Sequence, residues 1–442
     1  MSGSPAIAPT APATARAATA APATTAAPTV LPATVVPSEA PTATQMATAT
    51  AAPMPTATPT ELPTATVVPS STPLPPPTAP VVQTFSPELA AELQRILDQI
   101  VADGTTPGAV ASVQIPGYAP WSGASGLADR MQKLPMTTDT RVRIASISKV
   151  YTAVVVLQLI EEGLIAIDAP LSAFFPGLVP NADQITVHHL LTHTTGLYDY
   201  VEDRNFINLG YSAPSRVWAP SEMVAYTNQF KPLFAPGTPG AWDYSSTNYV
   251  ILGMIAEQVT GRTLGQEMRD RIFTPLGMSE TYFDPEDVVE GPRARGYRGE
   301  ADVFAISLSI VFATANIVST TSDIVKFGQG IQNGLLLSPA MLELLYQFEN
   351  GQGQYNMPEL GYGHGIMRNQ LYVGPDAYGQ PQPKAASTVV GHIGGFGGFR
   401  SALWTAPVNG ITIALGVNQG ATDPNILATR VFDAVLRHQS KQ

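Results

Sequence analysis

Ser146 and Lys149 stand three residues apart in Ser146-Ile147-Ser148-Lys149, at the head of an apolar run that continues to Ile160. A helix from Ser146 to Gly163 puts both side chains on one face. Its N-terminus favours negative charge developing on the hydroxyl. A lysine drawn out of water in a cleft loses its proton easily and can then serve as base for the serine. The spacing alone is common on exposed helices and decides nothing. Of the six lysines in the chain, however, only Lys149 has a serine three positions earlier.

Two later segments supply what such a pair lacks. Asp243-Tyr244-Ser245-Ser246-Thr247-Asn248-Tyr249 offers a phenol that relays a proton to a leaving group if it is held near Lys149, whose charge would favour the phenolate. Taken by itself, Tyr244 reads more often as a packed loop aromatic. His392-Ile393-Gly394-Gly395 offers an imidazole at the end of a strand, followed by bare backbone. Glycine there lets a substrate backbone approach, and the N–H groups of Ser146 and Gly395 can form an oxyanion hole.

Ser-x-x-Lys, then Tyr-Ser-x, then His-x-Gly, in this order, resembles the penicillin-recognising serine hydrolases, which include class C β-lactamases, D-alanyl-D-alanine carboxypeptidases and esterases. The likeness covers nearly all of residues 85–440. It takes in Ile185-Thr186-Val187-His188-His189-Leu190-Leu191-Thr192-His193-Thr194-Thr195-Gly196-Leu197-Tyr198-Asp199-Tyr200, Pro275-Leu276-Gly277-Met278 and Val318-Ser319-Thr320-Thr321-Ser322-Asp323. The resemblance implies a β-lactamase/transpeptidase-like fold and an acyl-enzyme mechanism without metal or cofactor. Ser146 attacks, Lys149 and Tyr244 shuttle protons, His392 stands in the third motif, and water releases the acyl group from an amide or ester.

The departures from that family fall where the substrate is held. Its second motif usually ends in Asn, and Ser246 occupies that place. A hydroxyl there can still bond Lys149 or a substrate amide, directly or through water. The third motif commonly carries hydroxyl residues that hold a substrate carboxylate, which Ile393 and Gly395 cannot do. Gly394 still lets a substrate close, and Arg368 is the candidate for the missing positive charge. Carboxypeptidase, β-lactamase, esterase and amidase activities all stay open, as does a catalytically silent penicillin-binding sensor. The expected substrate is a small molecule or a peptide, with cell-wall peptide among the candidates.

These residues need a scaffold, and the sequence describes one. Ser86-Pro87-Glu88 followed by Leu89, Leu93, Ile96, Leu97 and Ile100 predicts an opening helix with a serine cap and proline at its first position. Strands are expected at Ala109–Ile115 and Trp121–Leu127, and later at Tyr362–Ile366, Ser387–Ile393, Ser401–Thr405 and Ile411–Val417. A closing helix runs from Pro424, capped by Asp423, to Leu436. The fold class is therefore mixed α/β (α+β): an antiparallel sheet flanked by N- and C-terminal helices, with a helical, proline-broken sub-domain over about 165–300.

Residues 1–84 are a different material. They hold no Phe, Trp or Tyr and only Arg16, Glu39 and Glu61 as charges, among Pro, Thr, Ala and Val repeats. Such a segment cannot bury a core. Read as a semi-extended stalk, it would reach roughly 250 Å, which fits an exported enzyme tethered to the cell envelope. The net charge of −11 repels phosphate and speaks against nucleic acid as a partner. With no cysteine in 442 residues, disulfides and thiolate metal sites are excluded. No apolar run reaches the length of a membrane span. An α/β-hydrolase would need a G-x-S-x-G elbow, which is absent. A zinc site built on His189 and His193 finds no Glu or Asp nearby to complete it.

Overall fold

Ser86 opens the fold as the sequence predicts, its hydroxyl accepting from the Leu89 N–H at 3.2 Å. It caps helix α1, Pro87–Ala102. The computed structural model describes residues 82–440 apart from 352 and 376–378. The stalk assigned to residues 1–84 lies, up to residue 81, outside the described residues.

The chain then lays down β1 (Gly108–Gln114), β2 (Trp121–Asp129) and β3 (Leu134–Pro135). It completes the sheet much later with β4 (Glu349–Asn350), β5 (Gly361–Tyr362), β6 (Met367–Gln370), β7 (Thr388–Phe396), β8 (Phe399–Thr405) and β9 (Thr412–Val417). The order is β3-β2-β1-β9-β8-β7-β6-β5-β4, and its strand pairs are antiparallel. Alternation along the strands divides two cores, because successive side chains leave a strand on opposite faces. Ala109, Ala111 and Val113 of β1 and Ile413 and Leu415 of β9 pack with α1 and the closing helix Pro424–Gln439. Val110 and Ala414 instead join the core on the other face.

That second core contains the central helix α2, Ser148–Glu161, together with α3 (Val187–Thr192), α4 (Ser246–Thr260) and α5 (Thr321–Gln332). Nearly all of α2 is buried, which explains why its sequence is apolar all round rather than striped. The region 165–300 carries α3, α4 and further helices at Arg204–Ser212 and Pro220–Thr227. No helix among the described residues is long and apolar enough to cross a membrane.

Two expectations need correction. The strand expected at Tyr362–Ile366 is a hairpin: β5 ends at Tyr362, the chain turns through Gly363 and Gly365, and β6 begins at Met367. Gly365 has a φ of 96°, which a strand residue with a side chain would not adopt. The helix expected to start at Ser146 begins at Ser148, preceded by a tight 3₁₀ turn over Ala145–Ile147.

Candidate active site

The 3₁₀ turn that carries Ser146 is pinned from both sides. Ser401 Oγ on β8 donates to the Ile144 carbonyl at 2.7 Å, and the Ile317 N–H donates to Ser148 Oγ at 3.2 Å. Between these anchors Ala145 is forced to a φ of 49°, a left-handed conformation that costs energy in any residue with a side chain. Ser146 is thereby turned out at the head of α2 and lines a cavity of about 110 Å³.

Lys149 follows one turn later and is 1% exposed. Its ammonium donates to Ser146 Oγ at 3.3 Å and to the Thr314 carbonyl at 3.4 Å, and lies 4.8 Å from the centre of the Tyr244 ring. Burial lowers its pKa to about 7, with the negative charge of Asp199 acting in the opposite direction. Lysine is held where the neutral amine is accessible near neutral pH.

Tyr244 reaches this place through α3. Thr186 caps that helix, and it ends at His193 with a φ of 61°. The buried imidazole of His193 accepts the Ser245 N–H at 3.1 Å, and its ring lies 4.3 Å from that of Tyr244. Trp242 Nε1 donates to the Thr192 carbonyl at 2.9 Å. The run from Ile185 to Tyr200 is thus the mount for the Tyr244 loop. The phenol oxygen is buried and makes no hydrogen bond among the described residues. Burial raises its pKa well above the ordinary value, opposed by the nearby Ser146 hydroxyl. The expectation that Lys149 favours a phenolate is therefore reversed: desolvation wins and the phenol stays protonated.

Strand β7 forms the opposite wall. Its pairing with β6 stops at Gly391↔Met367, whereas its pairing with β8 continues to Phe396↔Phe399. Residues 392–396 therefore present an edge beyond the end of β6. Gly394 and Gly395 line the cavity beside Ser146, and a Cβ at Gly394 would collide with the Ile144 carbonyl and Ser401 Oγ. Bare backbone is what lets β7 lie so close to the Ser146 turn.

Other residues named from sequence are placed differently. Ser246 lines the cavity, but its hydroxyl donates to Asp199 Oδ2 at 3.2 Å rather than bonding Lys149. The imidazole of His392 also borders the cavity, but its nitrogens face Tyr362 Oη at 3.2 Å and the Ile393 carbonyl at 2.5 Å. Burial lowers its pKa to about 3, so it is a neutral packing and hydrogen-bonding group here. Arg368 is exposed on β6 and sits over the Phe348 ring at 4.8 Å. It lies outside the cavity because Met367, its neighbour on β6, takes the inward position. His189 accepts the Thr186 N–H within its own capping box, so it and His193 each brace a helix end.

Sequence reasoning missed Asp199, Val201, Glu202, Tyr355 and Arg400, which complete the cavity lining. Asp199 is buried, accepts from the Val201 N–H at 3.0 Å, and has its pKa raised to about 6 by desolvation against the pull of Lys149. It stands in the run from Ile185 to Tyr200, as the only acid between Leu197 and Val201. The Gly395↔Arg400 pairing across the hairpin is what brings Arg400 in.

A sequence profile described as Beta-lactamase matches residues 93–436. Penicillin-binding protein 4 of Amycolatopsis lactamdurans is 30% identical over 367 residues, 78% of this chain and 88% of that protein. Esterase EstB of Burkholderia gladioli is 36% identical over 205 residues, 44% of this chain and 52% of its own length, so the chain spans about half of that relative. Among solved structures, a D-stereospecific amidohydrolase from Streptomyces sp. has a TM-score of 0.67 at 31% identity, covering 78% of this chain and 98% of its own.

Proposed function

The chain belongs to the β-lactamase family of serine hydrolases, and we propose that it cleaves amide or ester bonds of small acyl substrates through an acyl-enzyme on Ser146. One observation carries this: the buried Lys149, with its pKa lowered toward neutrality, donates to Ser146 beneath the unpartnered phenol of Tyr244. Neutral Lys149 takes the hydroxyl proton as Ser146 Oγ bonds to the substrate carbonyl carbon. The N–H groups of Ser146 and Gly395 hold the oxyanion. Tyr244 gives its proton to the departing amine or alkoxide and is reprotonated from Lys149. Water then attacks the ester by the reverse relay, releasing the acid and freeing Ser146.

Amidase or esterase chemistry is favoured over carboxypeptidase chemistry, because Ile393 and Gly395 provide no hydroxyl for a carboxylate on the leaving group. The relatives named as an esterase and a D-stereospecific amidohydrolase support hydrolysis of an ester or an amide at such a site. Export to the cell envelope, with residues 1–84 as a stalk, belongs to the same proposal. Fractionation of the native host checks it, and recovery in the soluble cytoplasm would contradict it.

The test compares turnover of 4-nitrophenyl butyrate, D-phenylalanine amide, nitrocefin and a D-alanyl-D-alanine peptide by the wild type and S146A. Hydrolysis of the first two, abolished in S146A, is expected. Turnover that survives in S146A would overturn the proposal, and labelling of Ser146 without any turnover would favour a sensor.

A further inference from the structure

A second cavity of about 350 Å³ adjoins the first, sharing Val201, Gly395 and Arg400 with it. Its walls combine apolar side chains, Ile207, Phe396 and Phe399, with the guanidinium groups of Arg400 and Arg298. Arg400 is held in place from its stem, its Nε donating to the Gly420 carbonyl at 2.8 Å. Arg298 donates to the Tyr211 hydroxyl at 3.3 Å. Several arginines elsewhere are matched with carboxylates, as Arg271 is with Glu162 and Arg437 with Glu92. Arg400 and Arg298 have no ion-pair partner among the described residues. The acids that influence Arg400, Asp423 and Glu202, act at longer range.

Gly395 and Arg400 are also sterically linked. A Cβ at Gly395 would meet Arg400 Nη1, so the guanidinium lies directly against the bare backbone of residue 395.

We propose that Arg400, with Arg298 behind it, binds a carboxylate carried on the acyl part of the substrate. The assignment to the acyl part rests on the acyl-enzyme reading above. Tyr244, which protonates the leaving group, stands at the His392 end of β7, with ring centres 6.1 Å apart. Arg400 pairs with Gly395, toward the other end. A substrate laid along β7 with its leaving group at Tyr244 runs its acyl chain toward Arg400. The planar fork of arginine matches a carboxylate in two hydrogen bonds, and the apolar walls take a short hydrocarbon spacer.

Two esters with the same leaving group and chain test this: 4-nitrophenyl hydrogen glutarate, which bears the carboxylate, and its methyl ester, which does not. The wild type is expected to prefer the acid by about tenfold or more in kcat/KM, the size of one charge-assisted contact. This would occur despite a net charge of −11, which disfavours approach of any anion. R400Q is expected to erase the preference, and R400K to keep part of it as a point charge without the fork. Calorimetric titration with glutarate reads the same subsite without turnover, and binding should be lost in R400Q. No preference in the wild type, or one that R400Q leaves intact, overturns the subsite. Turnover of the methyl ester and its loss in S146A report separately on the hydrolase reading.

Discussion

Asp199→Asn isolates the electrostatics of the proposed base. Asp199 is the one charge that raises the Lys149 pKa against the effect of burial. Asparagine is nearly isosteric and keeps partners for both the Val201 N–H and the Ser246 hydroxyl. If neutral Lys149 is the base, kcat/KM climbs with pH through the lysine pKa, near 7 in the wild type. Removing the carboxylate charge lowers that pKa, so the ascending limb moves to lower pH. An opposite charge at short range shifts a pKa by about 1 to 3 units. No ion-pair contact joins the two residues, which argues for the lower end of that range. With a shift of about one unit, neutral lysine at pH 7, where most Asp199 is ionised in the wild type, grows from about one half to about ten molecules in eleven, a gain of about 1.8-fold in kcat/KM. At pH 8 both forms are almost wholly neutral and the rates converge. The assay is 4-nitrophenyl butyrate hydrolysis from pH 5 to 9, followed at the nitrophenol isosbestic wavelength. A limb that stays in place, or moves to higher pH, refutes Lys149 as the base.

Other predictions concern the groups around it. Tyr244→Phe should lower kcat by about 10² to 10⁴ without lowering Tm, because the hydroxyl it removes is buried and makes no hydrogen bond; a full kcat would remove Tyr244 from the relay. Gly394→Ala should destabilise the fold by about 1 to 3 kcal/mol through overpacking. Its Cβ collides with the Ile144 carbonyl beside the Ser146 turn, so chemical denaturation and kcat should fall together. Unchanged stability would contradict the packing described.

The outer elements were legible because their signals are local. Ser86 and Asp423 cap helices that begin within a residue of where sequence reasoning starts them. β1 and β9 were legible as short apolar runs bounded by Gly, Pro and Asn turns, and both are buried on both faces. Ser146, Lys149 and Tyr244 were legible as a set because their spacing along the chain is specific, although nothing in that spacing says that the phenol is protonated. What escaped depends on juxtaposition. The exposure of Arg368 is set by the turn through Gly363 and Gly365; with β6 starting at Met367, the pleat puts Met367 inside and Arg368 outside. Arg400 was overlooked because its importance comes from pairing with Gly395 across a hairpin, and a one-residue error in register would have sent it to the other face. Asp199 looked like part of a loop motif, and only burial beside Lys149 turns it into an electrostatic partner.

The most direct test of the central claim is rapid-quench mass spectrometry of the protein turning over 4-nitrophenyl butyrate, followed by peptide mapping. Ser146 as nucleophile predicts a transient butyryl adduct on the peptide containing Ser146-Ile147-Ser148-Lys149, absent in S146A. Hydrolysis at an undiminished rate by S146A, or an adduct on another residue, would contradict it.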